Sequence, residues 1–229
     1  MEGYDPSKYE KLSVAVDLLV FTVEDNRLKL LMIERDEDPF AGILALPGVF
    51  VRVNETLDDA AARGIREETG LEGIYFEQLY TFGGVERDPR MRIISVAYMA
   101  LVPLEQLVFH AGARTSGAWL VDAEELLESE DPVAFDHKEI IRYARWRLAN
   151  KVEYTGIAFH LVEREFTLPE LQRVYEILLG KSLYKANFRK KVAGLIEETE
   201  HMTSGDAHRP SRLYRAKEEV VRRRKTEEG

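Results

Sequence analysis

Hydrophobic positions in the first half of the chain gather in short runs that are separated by polar turns. The run at 13–23 is apolar and rich in Val, which predicts a buried strand. After a polar turn, the run at 28–33 predicts a second strand that runs back along the first. Further strands are predicted at 74–82, 91–102 and 119–121, followed by a short helix at 123–127. Strands interleaved with helices indicate an α/β domain.

Two amphipathic helices are predicted in this half of the chain. Thr56 and Asp59 have the spacing of a capping box, and Gly70 is a stop signal directly after Thr69. One face of this helix is apolar, which predicts burial of Leu57, Ala60, Ala61 and Ile65. The second helix has Asp136 as its predicted cap and an apolar stripe of Ile140, Ile141, Ala144 and Leu148. We interpret Asp136 with His137 as a helix cap and not as a catalytic dyad.

The last third of the chain predicts a helix-turn-helix that is followed by a β-hairpin. Thr167 with Glu170 forms another capping-box pattern, and Gly180 ends that helix. The next helix is predicted to start near 186–187 and to bury Phe188, Val192, Leu195 and Ile196. A turn at 204–206 then predicts the hairpin that forms a wing.

Charge divides the chain into two regions. The 229 residues carry a net charge of −9, but residues 151–229 hold 16 Lys/Arg and 13 Asp/Glu, a charge of +3, which leaves −12 for residues 1–150. Within 181–225 the excess is +7. An acidic region joined to a locally basic one predicts two domains with different roles, 1–150 and 151–229, with the connecting helix in the first.

The remaining composition excludes several classes of protein. There are no cysteines, so the sequence has neither a disulfide framework nor a zinc–thiolate site. The first residues have no basic n-region and no apolar stretch typical of a secretory signal, and no uncharged apolar run approaches the ~18 residues of a membrane span. We therefore expect a cytoplasmic protein that does not act in a membrane.

Residues 46–71 resemble the Nudix signature, in which Gly, Glu, Arg and a Glu–Glu pair recur at fixed spacing before a final Gly. The matching positions are Glu55, Arg63, Ile65, Glu67, Glu68, Gly70 and Leu71. Two positions depart from the signature: Val49 stands for its first Gly, and Gly64 stands for the Glu that follows Arg63. The resemblance implies an α/β/α sandwich with a mixed sheet.

In the Nudix family the Glu that this chain lacks binds the catalytic Mg²⁺ with the later pair, so the resemblance implies a weakened metal site. Glu67 and Glu68 are the candidate metal ligands that remain. The favoured alternative is a salt-bridged remnant with Arg63 and Arg66. Glu55 with Arg63 is expected to be structural in either case. No catalytic residue is assigned, and Mg²⁺ is the expected cofactor only if hydrolysis is retained.

A Nudix domain followed by a basic winged helix resembles the Nudix-related transcriptional regulators of the NrtR family. The resemblance rests on segments 46–51, 79–83, 87–90, 134–137, 166–172 and 187–191, together with Arg209, Pro210 and Tyr214. It covers nearly the whole chain, and its C-terminal segments are the most specific, because hydrolases of the superfamily lack such a tail. It implies a winged helix-turn-helix domain that binds double-stranded operator DNA, and a homodimer.

The same resemblance places the loop 87–90 beside a ligand pocket of the Nudix domain. Arg87 and Arg90 could clamp a diphosphate or sugar phosphate there, and a plain charged hairpin loop is the equally weighted alternative. The residues predicted to bind the effector are Arg35, Phe40, Phe50, Arg87, Asp88 and Arg90. Departures from the family at 43–44 and Met91 leave the effector open between ADP-ribose, another NAD-related nucleotide and a sugar.

The second helix of a helix-turn-helix places its N-terminal residues in the major groove. The residues predicted to contact DNA are Lys185, Asn187, Arg189, Lys190, Lys191, Arg209 and Arg212. Asn can recognise adenine and Arg can recognise guanine through paired hydrogen bonds. A basic cluster at 222–225 adds cations for phosphates, and a solvated helix face is the alternative interpretation of the basic residues.

The sequence therefore predicts a DNA-binding transcriptional regulator, most simply a repressor, whose degenerate Nudix domain senses a small molecule and requires no cofactor. One alternative is a Mg²⁺-dependent Nudix hydrolase of a nucleoside diphosphate derivative such as ADP-ribose, which Gly64 disfavours. The other is a ligand-binding protein whose basic segment docks a partner protein. Absence of salt-dependent DNA binding would favour this last interpretation.

Overall fold

One mixed β-sheet forms the centre of the N-terminal region. The structure, a computed structural model, describes residues 5–107, 115–203 and 210–221. In those residues the sheet contains β1 (Ser13–Glu24), β2 (Arg27–Arg35), β3 (Leu44–Ala45), β4 (Gly48–Phe50), β5 (Tyr75–Phe82), β6 (Ile93–Leu101) and β7 (Thr115–Asp122).

The central strand β1 changes partners along its length. Its N-terminal half pairs with β4, with Asp17 opposite Gly48, and its C-terminal half pairs with β2, with Phe21 opposite Leu30. Strand β6 runs parallel to β1, β5 lies beyond β6, and β3 and β7 both pair with β2. Strands β2 and β4 thus pair with different halves of β1, and Asp17 is the last residue of β1 that pairs with β4.

The two faces of the sheet pack on different helices, because successive side chains of a strand point to opposite faces. Residues 16, 18 and 20 of β1 share an apolar cluster with α1 (Leu57–Thr69). Residues 19 and 21 share another with α2 (Ala123–Glu128) and α3 (His137–Lys151). The predicted α/β/α sandwich with a mixed sheet is confirmed.

Local sequence signals set the ends of the helices. Thr56 Oγ1 accepts from the N–H of Asp59 at 3.1 Å, and the carboxylate of Asp59 accepts from the N–H of Thr56 at 3.0 Å. The same reciprocal bonds begin α4 (Leu168–Leu179). Gly70 and Gly180 end their helices in the left-handed conformation that glycine adopts without strain. Both predicted capping boxes and both predicted stops are confirmed.

A helix-turn-helix and a two-stranded wing make up the C-terminal region. The elements after α4 are α5 (Lys185–Val192), β8 (Ile196–Met202), β9 (Arg212–Ala216) and α6 (Glu218–Val221). Strands β8 and β9 are antiparallel and form the wing. The predicted turn at 204–206, the predicted contact Arg209 and the basic cluster at 222–225 lie outside the described residues.

Helix α5 is shorter than the apolar spacing predicts. The predicted stripe continues through Leu195 and Ile196, but α5 ends at Val192 and Ile196 is the first residue of β8. Gly194 follows the helix end, and a glycine inside a helix costs about 1 kcal/mol relative to Ala. The extension of the helix is therefore wrong, although Leu195 and Ile196 still pack against the core from the turn and the wing.

One apolar cluster continues from the sheet into the C-terminal region. It contains Leu148 of α3, Phe159 of the 3-10 turn Ile157–Leu161, and Leu178 of α4. The connecting helix α3 thus contributes to a core that both regions share. In the parts of the chain that the structure describes, no helix is long and apolar enough to cross a membrane.

Candidate effector pocket and DNA interface

A cavity of about 590 Å³ lies where β1, β4, α1 and the start of α3 meet. It is lined by five of the six predicted effector residues, namely Arg35, Phe50, Arg87, Asp88 and Arg90. The sixth, Phe40, is not among the lining residues; its ring packs against Phe135 at 4.8 Å between centroids. Other lining residues that the prediction missed are Asp17, Arg52, Phe135 and His137. Asp17 did carry a signal, because it interrupts an apolar strand.

Arg87 holds two carboxylates together at the edge of this cavity. It donates to Asp136 at 2.9 and 2.6 Å and to Asp17 at 3.0 Å, and its side chain is only 4% exposed. Ser95 Oγ donates to Asp17 as well. Arg87 is therefore committed to protein contacts. Asp136 is the N-cap residue of α3, as predicted, but its carboxylate makes no cap hydrogen bond and binds Arg87 instead.

His137 ties the first turn of α3 to the loop before β4. Its Nδ1 accepts from the backbone N–H of Leu46 at 2.9 Å, which places any single ring proton on Nε2. Nε2 lies 3.6 Å from Asp17 Oδ1. Burial lowers the pKa of His137, and the neutral ring fits its role as an acceptor from Leu46. The ring has a structural role at the edge of the pocket.

Two other arginines face aromatic rings of the cavity. The guanidinium of Arg90 lies 5.9 Å from the ring centre of Phe50 and 5.6 Å from that of Phe135. Arg35 lies 4.9 Å from the ring centre of Phe135. Burial lowers the pKa of Arg35, and the nearby charge of Arg90 lowers it further. Of the two arginines in the loop 87–90, Arg90 is the accessible one, with 38% of its side chain exposed beside its partner Asp88. An anionic ligand would offset the repulsion between Arg35 and Arg90.

A contact between Glu55 and Arg63 of α1 braces the pocket wall. Arg63 donates to Glu55 at 2.6 and 3.1 Å, to Glu67 at 3.3 Å and to the carbonyl of Phe50 at 3.0 Å. The hydrogen bonds from Arg63 and from the Arg52 N–H lower the pKa of Glu55 to about 2. These contacts support the structural interpretation of Glu55 with Arg63.

Glu68 does not belong to that salt-bridge network. It is 8% exposed, and its Oε2 has no hydrogen-bond partner within the described residues. Arg66, its predicted partner, lies 3.6 Å from Glu72 instead. Burial raises the pKa of Glu68 to about 7, and the charge of Glu67 adds to the effect. The salt-bridged interpretation therefore holds for Glu67 and is wrong for Glu68.

A larger side chain at Gly64 would require Leu18 or Val49 to move. A Cβ at this position would lie 2.7 Å from Leu18 Cδ1 and 3.2 Å from Val49 Cγ2. The two departures from the signature are thus linked, because the Val49 side chain fills space beside Gly64. Among the described residues, no group of three or more His, Cys, Asp or Glu is arranged to hold a metal ion. The donor set does not fit the Mg²⁺ ligands of the family.

Replacing Glu68 with Gln is expected to stabilise the fold at alkaline pH. The folded-state pKa of about 7 lies above the unfolded value of ~4.3, so the charged carboxylate penalises the folded state fully above pH 7. We expect E68Q to gain about 2 kcal/mol at pH 8 and progressively less towards pH 4.5, measured by urea unfolding. If E68Q gained the same free energy of unfolding at pH 8 and at pH 5, the carboxyl of Glu68 would not titrate with a raised pKa. E72Q, which removes an exposed carboxylate just beyond the same helix, is the control.

Helix α5 exposes a basic face. Phe188 and Val192 are buried, and the exposed residues are Lys185, Asn187, Arg189, Lys190 and Lys191. The ammonium group of Lys191 lies 5.2 Å from the ring centre of Tyr175. Arg212, on the wing, pairs with Glu198 at 2.8 Å. Five of the predicted DNA contacts are thus brought together on one helix, and Arg212 lies on the adjoining hairpin.

The turn before α5 is held by two residues that the sequence analysis did not single out. Glu176 Oε1 accepts from the N–H of Leu183 at 2.8 Å and from Gln172 Nε2 at 3.0 Å. Gln172 also donates to the carbonyl of Leu183 at 2.9 Å. Their signal is the i, i+4 spacing of two polar residues on the face of α4 that meets the turn. The position of α5 is therefore fixed relative to α4.

A Nudix sandwich with an altered acidic helix, joined to a helix-turn-helix and a wing, is the architecture of a ligand-sensing DNA-binding regulator. The family model of the NUDIX domain matches residues 11–144, and that of the NrtR DNA-binding winged helix domain matches residues 158–216. The chain therefore belongs to the NrtR family of Nudix-related regulators.

Individual relatives agree with this assignment. The chain is 35% identical to the ADPR responsive transcriptional repressor NtrR of Acinetobacter baylyi, over 93% of this chain and 85% of the relative. The crystal structure of Shewanella oneidensis NrtR with a 27mer DNA covers 90% of this chain and 94% of its own, with a TM-score of 0.80 and 34% identity. The NUDIX domain of that protein with ADP ribose covers 64% of this chain and 94% of its own, with a TM-score of 0.54 and 34% identity.

Proposed function

We propose that this protein is a transcriptional repressor whose affinity for operator DNA is controlled by ADP-ribose or a closely related NAD-derived nucleotide. The observation that carries the proposal is a ligand-sized Nudix cavity in which Gly64 replaces one acidic metal ligand of the family, joined by α3 to an exposed basic recognition helix. The relatives that respond to or bind ADP-ribose support the choice of ligand over a sugar.

The chemistry of the cavity suits such a nucleotide. Its volume of about 590 Å³ falls in the ~300–1,000 Å³ range of small-molecule sites. Phe50 and Phe135 offer rings for stacking on a base, and Arg35 and Arg90 offer cations for a diphosphate. Arg87 serves instead to hold the pocket wall, because its donors are bound to Asp17 and Asp136.

DNA recognition is assigned to α5 and the wing. The exposed face of α5 carries Asn187, Arg189 and Lys190. In helix-turn-helix proteins, the corresponding helix makes the base and phosphate contacts. We assign residues 1–150 to sensing and 151–229 to DNA binding, and we expect a homodimer on a palindromic operator. Neither ligand response nor DNA binding is expected to need a metal ion.

The test is fluorescence anisotropy with DNA from upstream of the protein's own operon, titrated with ADP-ribose in buffer containing EDTA. We expect salt-dependent, sequence-specific binding that ADP-ribose weakens and that AMP and ribose-5-phosphate weaken less. Specific DNA binding without any ligand response would refute the sensor assignment. Absence of specific DNA binding would refute the regulator assignment.

The hydrolase alternative is tested on the same protein. ADP-ribose is incubated with Mg²⁺ or Mn²⁺, and release of AMP is measured for the wild type and for E68Q. We expect no difference between them. Robust turnover that E68Q abolishes would instead establish a Nudix hydrolase with an accessory tail.

A further inference from the structure

Helix α3 connects the effector pocket with the helix-turn-helix, and one of its side chains bonds the end of α4. We propose that Arg145 is the positioning residue through which the state of the pocket reaches the recognition helix α5. This inference rests on the proposed function, since it requires that effector and operator binding are coupled.

The N-terminal end of α3 belongs to the pocket. Asp136, which precedes the helix, accepts two hydrogen bonds from Arg87, and His137 accepts from the N–H of Leu46. Both contacts involve side chains that are mostly buried. A ligand that changes the position of the loop 87–90 must therefore displace the first turn of α3 or break these bonds.

Arg145 lies nine residues further along α3, about 14 Å at the helical rise of ~1.5 Å per residue. Its guanidinium donates to the carbonyl of Leu178 at 2.7 Å and to that of Ile177 at 3.3 Å, in the last turn of α4. The last carbonyls of a helix lack partners within the helix and carry partial negative charge, which a guanidinium complements. Arg145 also pairs with Glu124 of α2, so three helices meet at this side chain.

The end of α4 leads directly to the recognition helix. The turn between them is bonded to α4 through Glu176 and Gln172, and α4 packs on α5 through Tyr175 and Phe188, with ring centres 5.4 Å apart. Movement of the last turn of α4 is therefore transmitted to α5. Arg145 is the polar contact that ties this turn to α3.

An effector can act on DNA binding only if it favours one arrangement of these helices over another. The coupling is measured as the ratio of operator Kd with saturating ADP-ribose to operator Kd without it, and such ratios are typically about 5–150. If Arg145 transmits the signal, its removal reduces this ratio, while the protein still binds the operator alone and ADP-ribose alone.

The experiment compares wild type, R145Q and the control R142Q, which removes an exposed arginine one turn away on the same helix. Operator Kd is measured by anisotropy with and without ADP-ribose, and the Kd of ADP-ribose alone is measured by calorimetry. We expect R145Q to keep both separate affinities within about threefold of wild type while its ratio falls to within about twofold of one. R142Q keeps the wild-type ratio.

A wild-type ratio above five that R145Q retains would overturn the role of Arg145 and leave the proposed function standing. Equal loss of operator affinity with and without ADP-ribose, at an unchanged ratio, would mark Arg145 as merely structural and would also overturn it. A wild-type ratio of one refutes the proposed function and the coupling together. If R145Q does not fold, R145K is judged by the same ratio, since one ammonium cannot replace the planar, multidentate contacts of a guanidinium.

Discussion

An R189A/K190A double variant is expected to lose operator binding by roughly 30-fold or more at fixed salt, because direct contacts to bases are worth ~1–3 kcal/mol each. Both side chains are exposed on α5, beside the buried Phe188 that anchors the helix. Their removal should leave the fold and ADP-ribose affinity intact, because neither side chain lies near the pocket. Anisotropy with the operator and with unrelated DNA measures the loss.

The charge-matched control is R66A/R142A, which removes two exposed arginines from the Nudix domain. We expect its operator affinity to stay within about twofold of wild type, because general attraction between protein and DNA depends mainly on cations near the phosphates. Equal operator affinity of R189A/K190A and wild type would refute the recognition-helix assignment. A loss in both double variants would point to a nonspecific charge effect.

Replacing Arg87 with Met is expected to lower the free energy of unfolding by about 3–5 kcal/mol, because it leaves two buried carboxylates without their shared cation. The side chains of Asp17 and Asp136 are 9% and 18% exposed, so water cannot replace the lost guanidinium fully. Unfolding by denaturant at pH 7 measures the change. Because α3 begins at this cluster, the effector pocket should lose order as well.

Arg90 provides the contrasting variant in the same loop. Its guanidinium is 38% exposed, but R90M leaves the Asp88 carboxylate, which is 3% exposed, with only the backbone N–H of residue 90. We therefore expect R90M to cost about 1–3 kcal/mol of stability, less than R87M. R90M should weaken ADP-ribose binding by about tenfold or more, because a charge-assisted hydrogen bond contributes ~1.5–3 kcal/mol. If R87M were as stable as wild type but bound no ADP-ribose, Arg87 would be a ligand clamp and not a structural residue.

Local patterns in the sequence were sufficient for most elements of the fold. Apolar runs located the long strands, and the capping residues Thr56 and Thr167 with the stops Gly70 and Gly180 located α1 and α4. These features depend on residues a few positions apart, so the sequence alone contains them. Strands β3 and β4 were not predicted, because two and three residues are too short for an alternation to be recognised.

The pocket could be predicted only in part. The Nudix resemblance pointed to Arg35, Phe50 and Arg90, but it could not separate the accessible Arg90 from the buried Arg87. The predicted DNA contacts of α5 remain predictions, because exposure on a basic helix does not identify bases.

The sequence by itself determined the two-domain architecture, the caps, the basic face of α5 and the loss of the acidic residue at Gly64. Only the tertiary structure decided the partners of the charged residues. Arg87 meets Asp136 across 49 positions of the chain, and Leu46 meets His137 across 91. It also decided that Glu68 Oε2 is buried without a hydrogen-bond partner among the described residues, and that Arg145 bonds the end of α4. Such pairs arise when distant segments fold together, and no local periodicity records them.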